Sequence, residues 1–318
     1  MKIAVIGLGA MGSIYAALLA DAGNEVWAMD PWTEHTTAIR ENGLRVQGAS
    51  GERTVRALNI THNPHDLHGI ELFIVATKAR HVGDAAQMIR PLMTPGALVL
   101  TIQNGLGSGE RIAQHLPEQS VLLGVAEGFG ASVSAPGHVQ HTSMKMIRIG
   151  AYVAGNNKAL SDITDIWTDA GFNTQTFDDI AQLIWEKFIC NVAFSAPCTV
   201  FEKSVRELTE DPHGHAVSQA CALEAYNVAV AKKVNLSFGN PLDYIADFAK
   251  RVGNAKPSLY LDHLARRPSE IDAINGMVPV VAREVGLTAP YNDALTHILS
   301  ARETGWQSSA GSQSGESQ

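Results

Sequence analysis

The chain of 318 residues carries 32 Asp and Glu against 24 Lys and Arg, a formal net charge of -8, and 45% of it is hydrophobic. That length and apolar content provide for about two domains with substantial cores. Scattered and outnumbered basic residues argue against a nucleic-acid partner, and no apolar run reaches the ~18 residues that would span a bilayer.

Lys2-Ile3-Ala4-Val5-Ile6 reads as a short strand buried on both faces. Gly7, Leu8, Gly9, Ala10, Met11 and Gly12 follow at once as a cofactor-binding turn. Gly7 permits the tight turn, Gly9 lets backbone approach a pyrophosphate, and Gly12 lets the next helix pack on the strand. A helix from about Met11 to Ala22 offers its free N–H groups to the phosphates. Gly23-Asn24 stops it, and a second strand from Glu25 to Met29 ends on Asp30, placed to accept hydrogen bonds from a ribose 2′-hydroxyl. Strand, glycines, helix, strand and acid in that order predict a dinucleotide site. No Lys or Arg follows until Arg40, and Asp30 would repel a 2′-phosphate, so NAD is favoured over NADP. The N-terminus lacks a signal-peptide pattern, and a cytoplasmic location is the simpler expectation.

Gly43 to Leu58 reads as a hairpin or an irregular excursion. His62, His65 and His68 recur at three-residue spacing, yet Asn63-Pro64 and Gly69 make a solvated turn there, and no metal is expected. Ile70 to Thr77 is a further apolar strand, with Lys78 at its end where cofactor-proximal loops sit or where a lysine is simply solvated. Ala97 to Ile102 is the next strand. It leads into Gln103-Asn104-Gly105, so Asn104 is either a nicotinamide-end contact or a turn residue, and a helix runs on toward Leu116. Val121 to Ala126 continues the sheet, segments around Val139 and Met146 to Ile149 read as antiparallel edge strands, a helix runs from Asn156-Asn157 to about Ala170, and Phe172 to Phe177 is a last strand.

From Asp178 helical patterns dominate through Thr304, with breaks at Pro212, Pro241, Pro257, Pro268 and Pro290. The expected organisation is α/β: a Rossmann doubly wound sheet in residues 1–177, an all-helical substrate and catalytic domain in 178–306, and a disordered Ser/Gly/Gln-rich tail in 307–318. Cys190, Cys198 and Cys221 form no CxxC pair and read as reduced, mostly buried thiols.

In the first long helix Lys187, Asn191 and Ser195 recur every fourth residue and make a narrow polar stripe on an otherwise apolar cylinder. Lys187 has two readings, an ordinary solvated lysine or a proton donor to the alkoxide that hydride transfer to a ketone creates. Farther on, Pro268 and Ser269 read as a helix start, with Glu270 and Asp272 as first-turn acids, and Ser258 reads as a loop hydroxyl.

The order of Gly7-Leu8-Gly9-Ala10-Met11-Gly12, Gln103-Asn104-Gly105, Trp185-Glu186-Lys187, Lys256-Pro257-Ser258 and Glu270-Ile271-Asp272-Ala273-Ile274-Asn275-Gly276 resembles the ketopantoate reductase (2-dehydropantoate 2-reductase) family. That resemblance implies an active site between a Rossmann and a helical domain. It further implies Lys187 as general acid, Glu270 binding substrate and orienting the lysine, Asn104 bridging cofactor and substrate, and Asn191 and Ser258 on the substrate's hydroxyl and carboxylate ends. Family members that reduce ketopantoate use NADPH, with an Arg where this chain has Asp30, and a second Asn where it has Ser195, the remaining substrate contact. Both departures point toward relatives that resemble NAD-dependent dehydrogenases of 2-hydroxy acids such as D-mandelate. The partner expected is a small 2-oxo or 2-hydroxy acid, and a homodimer is open. A β-hydroxyacid dehydrogenase and a non-catalytic NAD(H) sensor are the alternatives; a Pro-Val-Ser-Gly-Gly element is missing for the first, and the Lys187 stripe argues against the second.

Overall fold

The structure, a computed structural model, describes residues 1–155 and 157–312, with side chains described up to residue 306 except at 157. Its contacts divide the chain into two compact units, Met1–Gln103 with Ser108–Ile180, and Asn104–Gly107 with the chain from Ala181 onward.

The first unit begins β1 (Lys2–Ile6), α1 (Ala10–Asp21), β2 (Glu25–Met29), α2 (Thr33–Asn42), β3 (Leu44–Gly48), β4 (Arg53–Val55), β5 (Leu58–Thr61), β6 (Leu72–Val75), α3 (Val82–Ile89) and β7 (Leu98–Thr101). It continues with α4 (Ser108–Ala113), β8 (Val121–Glu127), β9 (Gly130–Ala135), β10 (His138–Ser143), β11 (Met146–Ala151), α5 (Asn157–Asp169) and β12 (Thr174–Thr176). The main sheet has the order β12-β11-β8-β7-β6-β1-β2-β5. From β5 to β8 all neighbours are parallel, and β11 pairs antiparallel with β8. The central strands β6 and β7 are buried at every residue, as near-continuous apolar runs in a sheet covered on both faces must be. Reading outward in chain order from β1, the sheet grows one way through β2 and β5 and the other way through β6, β7 and β8, so the order reverses between β1 and β6. That reversal is the switch point at which doubly wound sheets open a crevice beyond their carboxyl ends.

Two expectations need correction. The segment around Val139 does not extend the main sheet: β10 pairs parallel with β3 and antiparallel with β9 in a separate sheet of order β4-β3-β10-β9. Within the Gly43–Leu58 segment β3 and β4 form an antiparallel hairpin that belongs to that second sheet, while Leu58 already opens β5 of the main sheet. Nor is β11 an edge, since β12 pairs beyond it. Local alternation signals a strand but not its distant partner.

The second unit holds α6 (Ile180–Phe201, its first residue in the first unit), α7 (Val205–Glu210), α8 (Pro212–Ala231), α9 (Pro241–Val252), α10 (Ser258–Leu264), α11 (Met277–Glu284) and α12 (Pro290–Ser312). Prolines open α8, α9 and α12, where the missing N–H has no intrahelical partner to lose. Ser204 and Glu207 close a reciprocal capping box on α7. Helix α11 starts at Met277, not near Ser269: after a bend at Glu270, residues 271–276 are successive turns, and the Glu270 carbonyl accepts N–H bonds from Ala273 at 3.0 Å and Ile274 at 3.1 Å. Cys190, Cys198 and Cys221 are free and buried in this unit's core, and burial pushes the Cys190 and Cys198 thiols up to about 12 and Cys221 higher still. Helix α12 runs to Ser312, through the first part of the stretch 307–318 expected as a disordered tail, and the remainder of that stretch lies outside the described residues.

Candidate active site

At the switch point Gly7 has φ +102°, and a Cβ there would lie 2.9 Å from the backbone of Ala76 and Thr77 just past β6. Gly12 sits closer still to its strand: a Cβ would come within 1.9 Å of the Gly7 carbonyl oxygen. Between them Gly9 caps α1 with φ -62°, and a Cβ there would meet nothing within 4 Å. The three glycines therefore differ. Two are enforced by neighbouring backbone, while the second faces open space at a helix N-terminus, which is the room a pyrophosphate requires. Leu8 is fully buried, Ala10 and Met11 start α1 half-buried, and Lys78 is exposed after β6.

Asp30, half-buried at the end of β2, accepts the Leu8 N–H at 2.6 Å through one carboxylate oxygen and the Trp32 N–H at 2.8 Å through the other. It thus braces the glycine turn against the strand end. Behind this turn lies a relay that the sequence pattern did not reveal. The fully buried His35 accepts the Gly137 N–H at Nδ1 (3.0 Å), which leaves the proton on Nε2 to donate to Ser13 Oγ (3.1 Å). Ser13 in turn donates to the Leu8 carbonyl at 3.0 Å. Burial pushes the His35 pKa down against the pull of Asp30, consistent with a neutral ring. Trp32, exposed at 38%, stacks on His35 at 4.7 Å and 11°. The nearby His62, one of the three spaced histidines, lies 3.3 Å from Thr36 Oγ1.

In the second unit Lys187 and Asn191 are half-buried on α6 and Ser195 is 4% exposed. The residue before the lysine is anchored: Glu186, buried, accepts from Gln182 Nε2 (3.0 Å) and from the Ser237 N–H (2.7 Å). Asn104, expected beside the cofactor loops, is half-buried and groups with this helical unit. Its loop is held by the Leu106 N–H, which donates to the Ala273 carbonyl at 3.2 Å. Gly105, at φ +87°, lets the two backbones approach, since a Cβ there would lie 2.1 Å from that same carbonyl oxygen. Ala273 stands three residues after the half-buried Glu270, and Asn275 of the same turn donates to the Val192 carbonyl of α6 at 2.9 Å. Loop 104–107, turn 269–276 and helix α6 are thereby brought together. The start of the turn is pinned by Glu303 of α12, which accepts from the Ser269 N–H (3.0 Å), Ser269 Oγ (2.5 Å) and His263 Nε2 (3.0 Å). Ser258 is exposed at the first position of α10, the helix that carries His263.

A family model described as Ketopantoate reductase PanE/ApbA matches residues 3–154, and its companion, Ketopantoate reductase PanE/ApbA C terminal, matches residues 179–303. The chain belongs to the ketopantoate reductase family. It is accordingly an oxidoreductase, and the sensor and β-hydroxyacid dehydrogenase alternatives fall away. A 2-dehydropantoate 2-reductase from Halobacterium salinarum is 28% identical over 299 residues, 94% of this chain and 98% of that protein. Among solved structures, D-mandelate dehydrogenase with NADH and anilino(oxo)acetate is 28% identical with a TM-score of 0.87, covering 96% of this chain and 100% of that one. A PanE/ApbA-family ketopantoate reductase from Ralstonia eutropha JMP134 is 27% identical, also with a TM-score of 0.87 and the same coverage.

Proposed function

We propose that this member of the ketopantoate reductase family interconverts a 2-oxo acid and its 2-hydroxy acid, 2-dehydropantoate or a related acid, with NAD as the favoured cofactor. The observation that carries the reading is the convergence of loop 104–107, turn 269–276 and α6 through the Leu106–Ala273 and Asn275–Val192 bonds, because those segments hold Asn104, Glu270 and Lys187. A bound nicotinamide supplies or accepts the hydride. The glycine turn and the N-terminus of α1 hold the pyrophosphate, and Asp30 favours a free ribose diol over a 2′-phosphate.

In the reductive direction Lys187 donates a proton from Nζ to the substrate oxygen as negative charge develops there, and its positive charge stabilises that oxygen beforehand. In oxidation it takes the proton back. Glu270 and Asn104 fix the lysine and the substrate carbonyl, while Asn191, Ser195 and Ser258 bind the acid's polar groups. Holding the reacting atoms in one geometry can itself remove about 7–11 kcal/mol of the barrier.

A D-mandelate-like dehydrogenase is the second reading, favoured by an acid at position 30 and by the NADH-bound D-mandelate dehydrogenase among the similar structures. A panel of 2-oxo acids bearing alkyl, hydroxyalkyl and aryl side chains, assayed with NADH and NADPH at equal concentration, separates the two. Turnover of none of these acids with either cofactor would overturn the proposal, and a strong NADPH preference would overturn the argument from Asp30.

A further inference from the structure

Helix α6 carries an internal proline, Pro197, which removes the N–H that would bond the Ala193 carbonyl and crowds that carbonyl with its ring. The turn just before it holds Asn191 and Ser195, so the part of the helix with a chemical task is also the part with a weakened backbone ladder. Asn275 is docked on this turn. Fully buried, it donates from Nδ2 to the Val192 carbonyl (2.9 Å) and accepts the Ala196 N–H at Oδ1 (3.3 Å). One side-chain amide thus meets both members of the pair that forms a helical i to i−4 bond.

The orientation of that amide is set from behind. The second Nδ2 hydrogen of Asn275 goes to Oδ1 of Asn292, also fully buried, at 2.8 Å. Asn292 presents an oxygen because its own Nδ2 donates to the Cys221 carbonyl (3.1 Å) and to Glu224 Oε2 (2.7 Å) on α8. Glu224 completes the network by accepting the Tyr291 N–H (2.9 Å) and the Asn292 N–H (3.0 Å) at the start of α12. Reversing either amide would set donor against donor or acceptor against acceptor, so the network has one arrangement.

We propose that Asn275 is a positioning residue for catalysis, a strut that fixes the Lys187–Asn191–Ser195 face of α6 relative to Glu270. It touches no substrate. It lies five positions after Glu270 in a turn whose Ala273 carbonyl also holds the Asn104 loop, so a shift of Asn275 displaces all three segments together. This inference rests on the proposed role of Lys187.

The test compares Asn275→Asp and Asn275→Ser with the unaltered full-length protein, using the best 2-oxo acid of the panel. Asn275→Asp sets an oxygen against both the Val192 carbonyl and Asn292 Oδ1; Asn275→Ser is small enough to keep the fold while giving up part of the clamp. Expected are a loss in kcat on the order of 10²-fold, an unchanged NADH dissociation constant, and a displaced pH profile of kcat, which reads the environment of the proton donor. Labelling of Cys190 and Cys198, which flank the clamp on α6, should quicken. A merely structural strut would lower the amount of folded protein without moving the profile. Wild-type kcat and profile in folded Asn275→Ser would overturn the inference, as would slow labelling in both variants. Lys187→Ala, run in parallel, separates the two ideas: full turnover in that variant defeats the assignment of the acid, whereas its loss alongside normal Asn275 variants defeats the strut alone.

Discussion

Asp30 and Leu8 are joined across 22 positions by a 2.6 Å hydrogen bond from the glycine-turn backbone to the strand-end carboxylate. The residue read as the ribose ligand therefore also builds the turn that would hold the phosphates. Each carboxylate oxygen accepts one N–H from the protein, Leu8 or Trp32, and has a further lone pair with which it could accept a ribose hydroxyl.

Asp30→Asn should act on both tasks at once. The amide has one accepting atom, so either the Leu8 or the Trp32 N–H loses its partner, and a hydrogen bond to a charged group contributes about 1.5–3 kcal/mol. Tm should fall in step with that loss, and NADH affinity should fall because the glycine turn is no longer braced and the side chain offers a ribose diol one accepting atom in place of two. Removing the negative charge should at the same time narrow the NADH over NADPH ratio. Titrations with both reduced cofactors check this, and an unchanged ratio would refute the charge argument.

The three glycines of the turn should fail differently. Gly12→Ala pushes a methyl within 1.9 Å of the Gly7 carbonyl oxygen and should lower Tm, since overpacking costs about 1–3 kcal/mol. Gly9→Ala meets nothing within 4 Å and should melt like the parent protein while losing NADH affinity. A Gly9→Ala protein that binds NADH normally would remove the pyrophosphate from this turn.

Gly105→Ala addresses the other unit. With φ +87° and only 2.1 Å to the Ala273 carbonyl oxygen, an added Cβ must break the Leu106–Ala273 bond and drive the Asn104 loop away from the Glu270 turn. The expected result is a kcat loss on the order of 10²-fold, with a smaller loss of NADH affinity because Asn104 is read as touching both cofactor and substrate. Steady-state kinetics combined with NADH titration is the measurement; a normal kcat would mean that the loop's placement is immaterial.

Much of the first unit was legible in the sequence because its signals are local. The run Lys2–Ile6, the three glycines and Asp30 each announce a strand, a turn or a strand end without reference to distant residues. The second sheet was not, because pairing β3 with β10 joins segments some 90 positions apart and leaves no local trace. The Lys187, Asn191 and Ser195 stripe follows from helical spacing, whereas Asn275 and His35 bond to partners 83 and 102 positions away. A polar residue inside the apolar run Ile274-Asn275-Gly276-Met277-Val278 was the one available hint, since buried amides must find partners. Ser269–Gly276 was misread as a helix start because proline, serine and acids suit a first helical turn and a chain of turns equally well.

Acid should destabilise the protein in two separate steps. Burial lowers the pKa of His35, His141 and His263 below the ordinary 6.5, in the last case against the pull of Glu303. Well above 6.5 these rings are neutral in the folded and unfolded chains alike, and they leave stability unaffected. As pH falls below 6.5 the unfolded chain binds protons that the folded chain resists, so the unfolded state gains and stability drops. The carboxylates act later. Glu25 and Glu207 lie below their ordinary 4.5, chiefly through hydrogen bonds to Trp27 and Ser204, and Asp211 falls to about 2, chiefly through Lys203. Stability that they provide above their unfolded values is lost only as pH falls through this lower range. A Tm series against pH should therefore decline first just below 6.5 and again below about 4.5. His35→Gln should shrink the first step and leave the second, and should remove any acid weakening of NADH binding that arises from protonating the ring behind the glycine turn. A flat Tm from neutral pH to about 5 would show that the buried rings take up protons as freely as exposed ones.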